Sequence, residues 1–276
     1  MKIRTDFIWL VHPLDDAQII DYCKRTKTKK ITLFEDGPRI VDEIIDTEYN
    51  LSGIVISTPL LPEQLIKKKN VMEQLELIKK LIEERVENTP PIGLGAWWAT
   101  ATRKGKLAKE VFPEHTIIDG YTGTVDRIVE QIYENLDGAP LDVVAIIGGG
   151  EVGKRVYDAL PIDAAIIFDK YNIEELCKKD YIAVHVDKLV ENIENFQIGV
   201  CCTTATKDVL TVDDIPDGFK FIDDSYPHTI PEYEGRIDGG MYENEAIFSS
   251  YLIKEGKIYG CLMELINYAR NVKEEE

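Results

Sequence analysis

Cations are scarce in this chain: 32 lysines and arginines stand against 50 aspartates and glutamates, for a formal charge of −18. Nucleic acid needs clustered positive charge to displace its counterions, so it is excluded as a partner, and an anionic membrane surface is disfavoured. Long apolar runs are missing too. The longest are strand-sized, far short of the ~20 residues that cross a bilayer, so no membrane span is expected. The opening MKIRTDFIWLVHP has neither the apolar length nor the small-residue cleavage site of a secretory signal, and a cytoplasmic location is expected. Cysteine is sparse: five, an odd number, none in C-x-x-C spacing. That pattern suits a reducing compartment and speaks against a disulfide framework or a zinc site, so no metal is expected. Internal repeats and low-complexity segments are lacking.

What is there is a globular chain of 276 residues, 44% hydrophobic and 30% charged, enough for one large or two ordinary domains. Two basic runs interrupt the acidity, Lys24 to Lys30 and Lys67 to Lys69. Each could steer an acidic carrier or the phosphates of coenzyme A, or be a solvated face.

Residues 1–121 alternate strand-like and helical runs, which predicts an N-terminal α/β domain for the substrate. Its expected strands are Asp6 to Val11, Lys30 to Phe34, Gly53 to Ser57 and Ile92 to Trp97. Val71, Leu75, Ile78, Leu81 and Ile82 form a helical core stripe after the Leu61-Pro62-Glu63 helix start. Trp97 and Trp98 would point to opposite sides of an extended segment, one lining a pocket or both serving the core. A helix from Thr122 to Leu136 connects to residues 122–276, expected to hold the remaining sheet. A C-terminal helix, Ile258 to Val272, would pack across the junction.

The most informative segment is VVAIIGGGEVGKRVYDAL followed by AAIIFD. Val143 to Ile147 read as a strand buried on both faces, and Gly148, Gly150 and Gly153 form G-x-G-x-x-G at a helix start. The first glycine permits a tight turn, the second admits a diphosphate, and the third lets the helix pack on the strand. Glu151 and Val152 open that helix, whose amides and dipole favour an anion. The next strand ends in Asp169, where such folds place the acceptor for ribose hydroxyls. That placement favours NAD, with Lys170 beside it leaving NADP open. Strand, glycines, helix, strand and acid together predict a Rossmann domain with a doubly wound parallel sheet. Further strands are expected at Tyr181 to Val186, Ile198 to Cys202 and Phe219 to Ile222.

Ligands of such sheets bind beyond the strands' carboxyl ends. Cys202 and Thr203 leave one such end, near the cofactor, although burial statistics favour two small buried cysteines and a hydroxyl turn. The loop after Ile222 gathers Asp223, Asp224, Ser225, Tyr226 and His228. His228 is the candidate general acid, or an exposed loop histidine without a role.

The pieces VHPLDDAQ, LLPEQL, DGYTGT, VAIIGGGEVGKRV, FIDDSYP, IDGGMYE and YGCLMEL follow one another from His12 to about Arg270. In that order the chain resembles the cyanobacterial long-chain acyl-(acyl-carrier-protein) reductases, which make fatty aldehydes. The resemblance implies that Cys261 attacks an acyl thioester, borne by a carrier protein or coenzyme A, and that nicotinamide hydride then releases an aldehyde. Gly260 before it suggests a place in the first helical turn, where the dipole lowers a thiol pKa; a buried structural cysteine fits the same stripe. Asp169 departs from the family's basic group at that strand end, which favours NADH. Two other classes fit the glycine turn: a non-covalent NAD-dependent dehydrogenase of shikimate or amino-acid type, and a dinucleotide sensor without turnover. A homo-oligomer is left open.

Overall fold

A mixed six-stranded sheet and a parallel six-stranded sheet organise the chain, each in its own unit: residues 1–123 with 242–276, and residues 124–241. The computed structural model describes residues 2–13, 15–27, 37–203, 209–225, 228–253 and 255–275. The expected strand from Lys30 to Phe34, part of the Lys24 to Lys30 run, and Tyr226 lie outside the described residues.

In the first unit the strands are β1 (Phe7–Val11), β2 (Arg39–Asp46), β3 (Leu51–Ser57), β4 (Ile92–Leu94) and β5 (Ile117–Ile118). Strand β13 (Ile247–Ser249) completes the sheet in the order β13-β2-β3-β1-β4-β5. Strands β3, β1, β4 and β5 run parallel; β2 is antiparallel to β3, and β13, antiparallel to β2, runs in the common direction again. All five residues of β1 are buried, as a central strand covered on both faces requires. Among the described residues before β5, the helices of this unit are α1 (Asp16–Thr26), α2 (Pro62–Leu65), α3 (Lys68–Arg85), α4 (Trp98–Ala101) and α5 (Lys106–Val111). The apolar stripe on α3 is core: Val71, Leu75, Ile78 and Ile82 are buried.

Beyond β4 the expected extended run to Trp97 gives way to a turn and α4. Ala96 takes a left-handed φ of 50°, and the Trp98 amide donates to the Gly95 carbonyl. Trp98 is sealed in the core, its indole N–H donating to the Val11 carbonyl, and Trp97 is half-buried.

Helix α6 (Tyr121–Glu134) carries the chain through the boundary at residue 123. The second unit contains β6 (Val144–Ile147), β7 (Ala165–Asp169), β8 (Ala183–His185), β9 (Ile198–Cys201), β10 (Phe221–Asp223) and β11 (Arg236–Asp238). Its order β8-β7-β6-β9-β10-β11, all parallel, is the 3-2-1-4-5-6 arrangement of the doubly wound nucleotide-binding sheet. Helices α7 (Glu151–Ala159), α8 (Ile173–Cys177) and α9 (Leu189–Asn192) connect its strands. Val144, Ile146, Ile167 and Val200 pack with Val156 of α7 on one face, while Ala145, Ile147 and Phe168 pack with Leu189 and Ile193 on the other. The sheet reverses direction of winding between β6 and β9, which is where such sheets bind ligands.

The C-terminal segment corrects the expected domain division. Residues 242–276 cluster with the first unit, not with residues 124–241. Strands β12 (Met241–Glu243) and β14 (Lys257–Tyr259) pair, so the last helix, α10 (Gly260–Glu275), starts two residues later than its apolar spacing predicts. Its face of Leu262, Leu265, Ile266 and Ala269 joins the core formed with Phe7, Trp9 and Ile44. Arg270 of this helix pairs at 2.7 Å with Asp46 of β2, which is fully buried. Among the described residues, no helix is long and apolar enough to cross a membrane.

Candidate functional site

The glycine turn leaves β6 at Ile147. Gly148 has φ +101°, and its amide donates to the Phe168 carbonyl at 2.8 Å. A Cβ there would lie 3.0 Å from the Cys202 carbonyl oxygen and 3.1 Å from the Thr203 Cα, so the turn touches the end of β9 directly. A Cβ on Gly153 would fall 2.0 Å from the Gly148 carbonyl oxygen, so α7 can sit on the turn only with glycine in its first turn. Gly150 differs. Its φ is an ordinary −71°, and an added Cβ would meet nothing within 4 Å. Packing therefore accounts for Gly148 and Gly153 but not for Gly150. What lies over Gly150 is open space at the N-terminus of a nine-residue helix, whose first amides lack intrahelical partners. A dinucleotide diphosphate requires such a cradle, and a side chain at Gly150 would enter it. The residues present fit that group.

Asp169 ends β7 with its carboxylate already anchored. One oxygen accepts the Gly149 amide at 2.8 Å, and the other accepts the amides of Tyr171 and Asn172, each at 2.8 Å. Burial pushes its pKa up, but these amides and that of Lys170 outweigh it, and the carboxyl ends below its ordinary value. Each carboxylate oxygen carries about two acceptor sites, so Oδ1, with two amides, is filled, and Oδ2, which takes the Gly149 amide, has at most one site for a ribose hydroxyl. The Lys170 ammonium lies over the Tyr171 ring at 5.4 Å.

Glu151 and Val152 stand at the expected helix start, but not as side-chain ligands. The Glu151 carboxylate is paired with Arg155 at 2.9 Å, and Val152 packs on the core beneath the sheet. Both can serve a diphosphate through the backbone only. Cys202 and Thr203 do border the turn. Burial, with the nearby Asp224 carboxylate, raises the Cys202 thiol well above its ordinary value, while Cys201 is sealed and pushed up to about 12.

The loop after β10 is organised by Asp223, which is 1% exposed. Its carboxylate accepts the Ser225, Thr229 and Ile230 amides at 3.0, 3.1 and 3.0 Å, and also the Ser225 hydroxyl. His228 stands between two acids, Nδ1 3.4 Å from Asp223 and Nε2 3.6 Å from Asp238. Burial pushes Asp223 up, but His228, Ser225 and the loop amides overcome this and lower it. The same contact raises His228 above its ordinary value, against the opposing effect of burial. The neighbouring Asp224 is raised well above the carboxylate range by burial and by the Asp223 charge. Sequence reasoning found Asp223, Asp224, Ser225 and His228 but missed Asp238, whose only signal was its place at the carboxyl end of a parallel strand. The network therefore favours the charged form of an imidazole two strands from the glycine turn, about 10 Å at the usual strand spacing.

Cys261 belongs to the first unit. It is the second residue of α10, in its first turn, half-buried against the Phe7–Leu262 core. Gly120, at φ +79°, backs onto it: a Cβ there would lie 2.4 Å from the Cys261 Cβ. Among the described residues, no group of histidine, cysteine and acidic side chains could hold a metal ion.

No protein-family model matches the chain, and no curated protein does. Among solved structures, shikimate dehydrogenase in complex with NADP+ aligns at 11% identity and a TM-score of 0.49, over 100% of this chain and 93% of that one. The nucleotide-binding domain of glutamyl-tRNA reductase from Thermoplasma volcanium aligns at 16% identity and a TM-score of 0.35, over 44% of this chain and 85% of that one. L-tryptophan dehydrogenase from Nostoc punctiforme aligns at 12% identity and 0.35, over 79% of this chain and 63% of that one. At these identities and scores the likeness assigns no function, which has to come from the residues themselves.

Proposed function

We propose that this chain is a nicotinamide-dinucleotide-dependent oxidoreductase whose second unit binds the dinucleotide at the turn between β6 and α7. The observation that carries this is Gly150, a glycine that neither backbone conformation nor packing demands, facing open space at a helix N-terminus. The amides of the first turn of α7 would hold the diphosphate, and Asp169 would accept the ribose hydroxyls, which selects NAD over NADP. The bound dinucleotide supplies a hydride. The chain's part is to move the accompanying proton, and His228 is the group equipped for it: Asp223 stabilises its charged form and orients Nδ1 inward, so Nε2 exchanges the proton. A histidine and carboxylate pair of this kind suits reversible oxidation of an alcohol or amine without a covalent intermediate, as in dehydrogenases of hydroxy or amino acids.

The test is a comparison of two alanine variants. Gly150→Ala should melt with the wild type and lose most NADH binding, because its Cβ enters only the cradle. Gly153→Ala should lower the melting temperature, because its Cβ meets the Gly148 carbonyl. NADH binding by Gly150→Ala at wild-type affinity would overturn the proposal.

A second reading is supported by Cys261, which stands in the first turn of a sixteen-residue helix, at the positive end of its dipole. In this reading Sγ attacks an acyl thioester carbonyl, expels the carrier thiol, and holds the acyl group until its reduction frees an aldehyde. Intact mass after mixing with acyl-coenzyme A, without dinucleotide, separates the readings: an acyl adduct lost in Cys261→Ser supports the thioester chemistry, and an unmodified protein removes it.

A further inference from the structure

At the carboxyl edge of the second sheet the hydrogen-bond ladder runs one residue past β6, β9 and β10. The amides of Gly148, Cys202 and Asp224 donate to the carbonyls of Phe168, Ile147 and Cys201 at 2.8, 2.8 and 2.9 Å. Phe168 lies beside Ile147, Ile147 beside Cys201, and Cys201 beside Asp223. The register therefore lays Asp169, Gly148, Cys202 and Asp224 in one row across β7, β6, β9 and β10, about 14 Å long at the usual strand spacing. Side chains alternate along a strand, so Asp224, two residues beyond Ile222, projects on the face where Ile146, Val200 and Ile222 pack with Val156 of α7. Cys202 packs on that same face, and its thiol feels the Asp224 carboxyl. Asp223, two residues beyond Phe221, belongs to the opposite face. A Cβ on Gly240, at φ +65°, would lie 2.7 Å from the Asp224 Oδ1, so glycine there leaves that oxygen its space. Asp224 is half-buried, and among the described residues nothing hydrogen-bonds its carboxyl. Burial and the Asp223 charge both favour its protonated form.

We infer that Asp224 recognises the carboxamide of the nicotinamide ring, its carboxyl pairing with that group through two hydrogen bonds. The inference rests on the dinucleotide reading and adds to it the residue that reads the second base. With the adenosine ribose on Asp169 and the diphosphate at the Gly148 turn, the other nucleoside continues along the row over the ends of β9 and β10, and Asp224 closes it. A protonated carboxyl carries a donor and an acceptor side by side. A primary carboxamide carries the same pair reversed: its N–H donates to the carbonyl oxygen of the acid, and its own carbonyl accepts the acid O–H. An ionised carboxylate only accepts, and would set a bare oxygen against the carboxamide carbonyl.

Three ligands titrated calorimetrically into the full chain at neutral pH test it: NADH, ADP-ribose, which lacks the nicotinamide, and the reduced 3-acetylpyridine analogue of NADH. That analogue keeps the carbonyl and has a methyl group in place of the carboxamide nitrogen. The wild type should bind NADH about fivefold more tightly than the analogue, the worth of one net hydrogen bond, a comparison that needs no variant. Asp224→Ala should weaken NADH about tenfold, erase its advantage over the analogue, and leave ADP-ribose unchanged. Asp224→Asn presents a donor and an acceptor in the same places and should hold NADH within about twofold of the wild type. The inference is overturned if the wild type binds the analogue as tightly as NADH, if Asp224→Ala keeps wild-type NADH affinity, or if Asp224→Asn falls to the level of Asp224→Ala. It is also overturned if Asp224→Ala weakens ADP-ribose as much as NADH, since the residue would then serve the fold. A wild type that binds neither ADP-ribose nor NADH removes the dinucleotide reading and this inference with it; ADP-ribose and NADH both bound, with Asp224 indifferent, removes this inference alone.

Discussion

The Asp169 carboxylate accepts the Gly149 backbone amide at 2.8 Å, so the acid that ends β7 and the turn that ends β6 are one hydrogen-bonded piece. The charge that would select a ribose also holds the diphosphate turn in shape. Asp169→Asn retains an acceptor but loses the charge, and a neutral acceptor is worth about half a charged one. NADH affinity should fall about tenfold, with NADPH affected less, in a fluorescence titration against both cofactors. Equal losses for the two would remove the ribose role.

His12 gives the first unit an acid sensitivity. Its imidazole is 4% exposed, with Nδ1 2.8 Å from the Pro13 carbonyl and Nε2 accepting the Trp97 amide, which fixes the neutral tautomer. Burial pushes its pKa down to about 4 from an ordinary 6.5. The unfolded chain therefore binds a proton that the folded one refuses between those values. The stabilisation is complete above about pH 6.5 and is lost as pH falls toward 4, on the order of 3 kcal/mol in all. Urea titrations at intervals from pH 7 to pH 4 should show the loss, and His12→Gln should flatten the part of it that His12 causes.

Much of the second unit was legible because its chemistry is local. Val144 to Ile147, Gly148, Gly153 and Asp169 are neighbours in sequence and carry the strand, turn and helix start in one run. The first unit was less so. Strand β2 reads RIVDEIID, with three acids, and its pairing depends on partners that come from β3 and from β13 some two hundred residues later. The C-terminal helix shows which of its faces is buried but not which sheet buries it; Asp46 and Arg270, 224 residues apart, settle that.

The Arg270 and Asp46 pair also sets a stability prediction. Asp46 is fully buried, Arg270 is 12% exposed and additionally lies over the Tyr49 ring at 4.2 Å. Removing one partner leaves the other charge buried and unpaired, which typically costs about 3–5 kcal/mol. Arg270→Ala should therefore lose about 3 kcal/mol in denaturant unfolding, and more than Lys273→Ala on the exposed side of the same helix. Matching losses would show that the pair contributes nothing beyond surface charge.

His228 carries the remaining prediction, on pH and turnover. Its charged form is favoured first by Asp223, then opposed by burial, and the balance raises its pKa above 6.5. A raised histidine stabilises the folded protein fully below the unfolded value, and that contribution disappears as pH rises through the folded one. If the imidazolium delivers the proton during reduction, kcat should follow the same curve, level in mild acid and falling as pH passes the raised pKa. Asp238→Asn removes the outer of the two acids and leaves the Asp223 loop intact, so the midpoint should move toward 6.5 without loss of fold. His228→Gln should abolish the pH-dependent limb while leaving NADH affinity unchanged. A ring titration by NMR places the pKa independently of catalysis. A kcat profile that ignores that midpoint would show that the imidazole serves the loop and not the reaction.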